Sequence, residues 1–200
     1  MERIILATHN EHKTKEVRHI LQDLGIEVLS LKDLGWTEEI VEDGLTFSDN
    51  AGSKVSAVAK KYPQEYIIAD DSGLEVDILD GAPGVHSARY AGNDKSSLAL
   101  CTKLIEATKL FPFQERTASF VTVLAFYQPT DRTIMAFEGT VNGLILEEMR
   151  GSNGFGYDPV FYLPELMKTM AELSSEEKDK LSHRHNALEK FKAYVKRHNV

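Results

Sequence analysis

Asp70 and Asp71 stand side by side in the run Ile67-Ile68-Ala69-Asp70-Asp71-Ser72-Gly73-Leu74. Neighbouring residues on a strand face opposite ways, so only one of the two carboxylates readily faces a given site. Two like charges this close resist joint ionisation unless a cation or hydrogen-bond donors compensate. The run reads in two ways. It is a divalent-metal site at a strand end, with one Asp as ligand or general base, or it is an Asx turn closing a strand.

Four other groupings carry chemistry. Thr8-x-Asn10-x-x-Lys13-x-x-Glu16 leads from a strand into a helix, whose first amides carry a partial positive charge suited to a phosphate. It lacks the glycines and the Lys-Ser/Thr pair of a Walker A loop, and a capped helix with a surface lysine explains it equally. Glu42-Asp43-Gly44 precedes a helix bearing Asn50 and Lys54, which i, i+4 spacing puts on one face. Magnesium takes one or two carboxylates plus phosphate oxygens and water, a demand that Glu42 and one Asp of the pair would meet; a solvated acidic turn is the alternative. Gly151-Ser152-Asn153-Gly154-Phe155-Gly156-Tyr157-Asp158-Pro159 is a glycine-rich loop in which Phe155 could stack on a base, or tuck into the core. Lys178 and Ser182-His183-Arg184-His185 gather donors at a helix start, where an Arg fork could donate to the 6-oxo group of a purine; surface basic residues are the plain alternative. Arg89, in the Gly-Pro-rich segment 81–90, is expected to be an internal tie.

The elements that must position these groups follow from periodicity. Strands are expected over residues 4–7 and 26–29, with a helix over 13–24 between them carrying Val17, Ile20, Leu21 and Leu24 inward. A helix over 47–61 ends before Pro63, and a strand over 66–69 runs into the paired Asp residues. Residues 74–79 alternate like the return arm of a hairpin. A helix over 96–109, a strand over 118–127 with an antiparallel partner over 133–141, and a helix capped by Ser182 complete the pattern. This mixture is α/β in the α+β sense, with at least two hairpins, and not the regular alternation of a doubly wound sheet.

Composition narrows the function classes. A chain of 200 residues suits one domain, or one domain with two lobes. Its net charge of −8 argues against a general nucleic-acid or anionic-membrane surface while leaving room for a local basic pocket. No apolar stretch could span a bilayer, and the N-terminal sequence turns polar too soon for a signal peptide. With Cys101 the single cysteine, no intrachain disulfide can form, and a cytoplasmic location is expected. The remaining histidines have no zinc-ligand spacing.

Taken together the motifs resemble those of the inosine triphosphate pyrophosphatases, the Ham1-like or noncanonical purine nucleoside triphosphate pyrophosphatases. The matching segments are Thr8-x-Asn10-x-x-Lys13-x-x-Glu16, Glu42-x-Gly44-x-Thr46-Phe47-x-x-Asn50-Ala51-x-x-Lys54, Ala69-Asp70-Asp71-Ser72-Gly73-Leu74, Gly81-x-Pro83-Gly84-Val85-x-Ser87-Ala88-Arg89-Tyr90, Gly154-Phe155-Gly156-Tyr157-Asp158-Pro159 and Ser182-His183-Arg184. They occur in the family's order along nearly the whole chain.

The resemblance implies hydrolysis of ITP, dITP and XTP to the monophosphate and pyrophosphate, with Mg2+ and a homodimer. It also implies one domain over residues 1–200, a long, mixed, partly antiparallel sheet with flanking helices, in two lobes around a central cleft. Carried onto this chain, Thr8, His9, Asn10, Glu11, His12, Lys13 and Lys54 would hold the triphosphate. Glu42 and Asp71 would bind magnesium, with Asp71 also the proton acceptor, and Ser72, Phe155, Gly156, Tyr157, Asp158, Lys178, His183 and Arg184 would bind substrate, mainly the base. Two departures stand out: His9 where many bacterial members have glycine, and Ser152-Asn153 in place of the commoner Thr-Gly. A Maf-like pyrophosphatase and a non-catalytic nucleotide binder are the rival classes. The Phe155 loop and His183-Arg184 argue against the first, and the set Lys13, Glu42, Lys54 and Asp71 against the second.

Overall fold

A computed structural model describes all residues, 1–200. Its seven-stranded sheet has the order β2-β1-β3-β4-β5-β6-β7, and the mixed α/β class expected from the sequence is the class found. Strand β1 (Arg3–Leu6) is parallel to both β2 (Glu27–Ser30) and β3 (Ile67–Val76). Helix α1 (Glu11–Leu21) is the crossover that parallel neighbours require, and it buries Val17, Ile20 and Leu21. Helix α2 (Phe47–Lys61) starts at a reciprocal capping box, in which the Thr46 hydroxyl accepts from the Asp49 amide and the Asp49 carboxylate accepts from the Thr46 amide. Then follow α3 (Ser97–Thr108), β4 (Thr117–Gln128), β5 (Thr133–Ile145), β6 (Phe161–Leu163), β7 (Lys168–Thr169), α4 (Ser175–Leu181) and α5 (His183–His198). The last three strands pair antiparallel.

The chain divides into two compact units. Unit 1 comprises residues 1–71, 122–139 and 184–200, and its core joins Ile4, Leu6 and Ile68 to Leu124, Phe126 and Phe191. Unit 2 comprises residues 72–121 and 140–183, with a core around Leu74, Leu104, Phe120, Val160 and Phe161. No helix is long and apolar enough to cross a membrane.

One expectation about the elements is overturned, and the site depends on it. Residues 67–76 are not a strand, a turn and a return arm. They form one ten-residue strand with Asp70 and Asp71 in its middle. Asp-Asp-Ser-Gly has a turn's composition, but β3 lies inside the sheet with β4 hydrogen-bonded beside it, and the strand runs on through the pair. The chain turns only afterwards, through a 3-10 segment at Asp77–Leu79 and an isolated bridge between Glu75 and Pro83.

Candidate active site

Strand alternation sends the two carboxylates to opposite faces, and each face gathers its own cations. Asp70, wholly buried, pairs with Lys13 Nζ at 2.8 Å and Arg184 Nε at 3.1 Å. Arg184 Nη1 reaches on to Glu16. Burial works to raise the Asp70 pKa, but Lys13, Arg184 and Lys54 outweigh it and hold the carboxyl well below the ordinary carboxylate range.

Asp71 faces α2. Its Oδ1 accepts from Lys54 Nζ at 2.9 Å and its Oδ2 from Asn50 Nδ2 at 3.1 Å. Lys54 Nζ also donates to the Asp70 carbonyl at 2.9 Å and pairs with Glu42 Oε2 at 2.8 Å. Asn50 and Lys54 lie one helical turn apart on a buried face of α2. At Asp71 burial is the largest influence, and its pKa is raised despite Lys54, Lys13 and Asn50. At Lys54 burial opposes the charge, but Asp71, Asp70 and Glu42 together raise the pKa.

Glu42 and Asp71 therefore meet on a single ammonium. Among the residues no group of three or more His, Cys, Asp or Glu converges as a ready-made metal cage. Two hard oxygen donors fit an ion that draws its other ligands from water and substrate phosphate, which is the habit of magnesium.

The phosphate-loop residues divide. Thr8 Oγ1 accepts from the Asn10 amide at 3.2 Å. Asn10 caps α1: its Oδ1 accepts from the backbone amides of His12 at 2.9 Å and Lys13 at 3.3 Å. Its oxygen organises the helix start, a capping use of Oδ1. Glu11 turns outward to Lys32 Nζ at 2.6 Å and is a surface pair. His9 Nε2 lies 3.1 Å from the Glu38 carbonyl, which also accepts from the Trp36 indole at 2.9 Å. The side chains of His9 and His12 are exposed.

In unit 2, Asp158 Oδ2 accepts from the Phe155 amide at 2.8 Å and from Lys178 Nζ at 2.7 Å. The Lys178 ammonium stands 4.6 Å over the half-buried Phe155 ring. Gly154 makes this closure feasible. Its φ is +75°, and a Cβ there would lie 2.0 Å from Asp158 Oδ2. His183 is buried and stacks on Phe120, with ring centroids 4.9 Å apart. Ser72 is half-buried next to Asp71 on β3. The departure at Ser152-Asn153 is accommodated, since Asn153 Nδ2 donates to the Leu173 carbonyl at 2.8 Å.

Three expected roles are revised. Arg184 was expected to read the base; it is 1% exposed and pairs with Asp70 and Glu16 within unit 1. Tyr157 was expected to touch substrate; it is buried in the unit 2 core, its hydroxyl donates to the Ser87 carbonyl at 2.8 Å, and burial raises its pKa. Arg89 is exposed and bonded to His86 rather than an internal tie. Gly156 is half-buried, with its carbonyl 3.4 Å from the Cys101 thiol, whose pKa burial pushes up to about 12. Cys101 is thus a packing residue, not a nucleophile.

Sequence reasoning left Asn50, Glu16 and Asp70 without roles in the site. Asn50 had a signal in its i, i+4 relation to Lys54, and Glu16 in its place one turn beyond Lys13. Asp70 had none beyond the alternation that separates it from Asp71.

The chain is similar to known proteins over nearly its whole length. A family model described as the Ham1 family matches residues 4–194. A dITP/XTP pyrophosphatase of Bacillus subtilis is 50% identical over 191 residues, 96% of each chain. One from Bacillus licheniformis is 48% identical over 195 residues, 98% of each. Among solved structures, the Ham1 protein of Staphylococcus aureus has a TM-score of 0.85 at 42% identity, covering 97% of this chain and 98% of that one. A HAM1 protein from Coxiella burnetii has a TM-score of 0.89 at 38% identity, covering 98% and 100%.

Proposed function

The chain belongs to the Ham1 family, and from that premise we propose that it hydrolyses ITP, dITP and XTP to the monophosphate and pyrophosphate, clearing deaminated purines from the nucleotide pool. The single observation that carries the chemistry is the Lys54 ammonium shared by Glu42 and Asp71. It sets two carboxylates together, Asp71 buried and Glu42 at the exposed edge, where substrate phosphate can complete a metal's ligand set.

Glu42 and Asp71 would hold Mg2+, which when bound supplies Lewis-acid neutralisation of phosphate oxygens. The rest falls to the chain's own groups. Lys13 and the first amides of α1 would face the negative phosphates, and Asp71 would take a proton from the attacking water at a carboxylate oxygen. Water attacks the α-phosphorus, the bond to the bridging oxygen breaks, and pyrophosphate leaves with that oxygen. Lys54 holds Asp71 in place and offsets charge that develops at the phosphates.

Unit 1 thus serves phosphate and metal, and unit 2 serves the base. Phe155 offers a ring face, and Lys178, His183 and Arg184 are the candidate donors for a 6-oxo group. The whole of residues 1–200 acts as one catalytic domain in this reading.

Pyrophosphate release from ITP, dITP, XTP, GTP and ATP, with and without magnesium, tests the proposal. Magnesium-dependent release from the first three, well above that from GTP and ATP, is expected. Orthophosphate as the product, or equal rates on ITP and GTP, would refute it.

We further place the enzyme in the cytoplasm as a homodimer, in keeping with its single buried cysteine and acidic charge. Sedimentation equilibrium should give twice the 22.4 kDa chain mass; a monomer across the micromolar range would overturn the dimer.

A further inference from the structure

The Asn50 side chain is 2% exposed and lies between the two segments that carry the proposed metal ligands. Its Nδ2 donates to Asp71 Oδ2 at 3.1 Å, and its Oδ1 accepts from the Gly44 amide at 2.8 Å. Only one orientation of the carboxamide works: a carboxylate has no hydrogen to give and a backbone N–H cannot accept. Gly44 follows Glu42 by two residues, and a Cβ at Gly44 would lie 2.8 Å from Asn50 Oδ1 and 2.5 Å from Asp49 Cβ. The acidic turn is thus pressed directly onto this amide.

Helix α2 does not need the Asn50 side chain for itself. Its start is already closed by the Thr46 and Asp49 box, and asparagine is a poor residue for a helix interior. Lys54 occupies the other oxygen of Asp71, so with Asn50 in place both carboxylate oxygens have a donor and the plane of the group is set.

We propose that Asn50 is a positioning residue: one buried carboxamide that fixes the rotation of Asp71 and, through the Gly44 amide, the approach of Glu42. The proposal rests on the reading of Glu42 and Asp71 as the metal and water-orienting pair. It names the residue that holds them in register.

Two variants test it beside Asp71→Asn. Asn50→Ala removes both bonds. Asn50→Asp is nearly isosteric, keeps an acceptor for Gly44, turns a donor into a like charge against Asp71, and suits the first turns of a helix electrostatically. Outer-shell partners of metal ligands typically contribute about 10-fold to 100-fold in metal affinity or activity. A kcat loss in that range is expected for both variants, with KM for ITP within about threefold of the parent on the same grounds. Calorimetric titration with magnesium alone should show weaker binding to Asn50→Ala. Parental kcat in both variants, or a loss that follows the folded fraction in thermal melts, would overturn the role of Asn50. Full activity in Asp71→Asn would instead overturn the site reading beneath it.

Discussion

Asp71→Asn is expected to lower kcat by about 100-fold to 10,000-fold, the usual contribution of a positioned general base, while nucleotide still binds. The substitution keeps the shape of the side chain and removes its charge. An amide cannot take a proton from water at neutral pH, and its nitrogen must confront a donor, either Lys54 Nζ or Asn50 Nδ2. The groups proposed to hold the nucleotide, Lys13 and the start of α1 together with Phe155 and Lys178, are untouched.

The fold should also survive. The amide keeps the shape of Asp71, and Lys54 keeps its ion pair with Glu42 and its bond to the Asp70 carbonyl. Steady-state pyrophosphate release, with nucleotide binding followed by calorimetry, checks both halves. Near-normal turnover would remove Asp71 from the reaction.

Asp70→Ala should have a large effect of another kind. Asp70 neutralises Lys13 and Arg184 from a wholly buried position. Removing one member of a buried charge pair typically destabilises by about 3–5 kcal/mol, against about 5–15 kcal/mol for a whole domain. Urea unfolding should register the loss, and a change under about 1 kcal/mol, the range of exposed pairs, would show that the network is not structural.

The pH dependence has a definite sign. Because the folded pKa of Asp70 is depressed, its contribution is complete above about pH 4, near the unfolded value. It is lost as the pH falls from there toward the folded value, so wild type and variant should converge in stability under acid. Arg184→Ala separates two roles for that residue. If Arg184 supports Asp70 and through it Lys13, stability and phosphate affinity fall together and the ITP-to-GTP ratio stays constant. A shift in that ratio would restore Arg184 to the base.

Local signals in the sequence were strong where the physics is local. Ile4 to Leu6 and the helical spacing of Val17, Ile20 and Leu21 located the first β-α-β unit. The apolar spacing and the proline after α2 marked that helix over residues 47–61, the span found. Strands β6 and β7 and helix α4 are too short for their pattern to stand out.

The larger misreadings come from partners far along the chain. Asp70 to Gly73 has the composition of a turn, but its place in the sheet beside β4, and the pairing of Asp70 with Arg184, 114 residues away, depend on distant segments. Arg184 in turn looked like an open donor at a helix start because Glu16 is 168 residues distant. In the phosphate loop the sequence could not show that Asn10 caps α1 or that Glu11 pairs with Lys32. Tyr157 shows the same rule in the base loop, where its hydroxyl finds the Ser87 carbonyl within the core.

The uninterrupted course of β3 has a consequence for how this protein can vary. One peptide bond separates Asp70 from Asp71, yet alternation along the strand gives each carboxylate its own nearest partners, with Lys54 reaching both residues. Asp70 is held charged by Lys13 and Arg184, while Asp71, in the proposed mechanism, serves the reaction. Adjacent codons are therefore subject to different demands, so a lineage could lose catalysis at the second and still keep an intact, nucleotide-holding scaffold through the first.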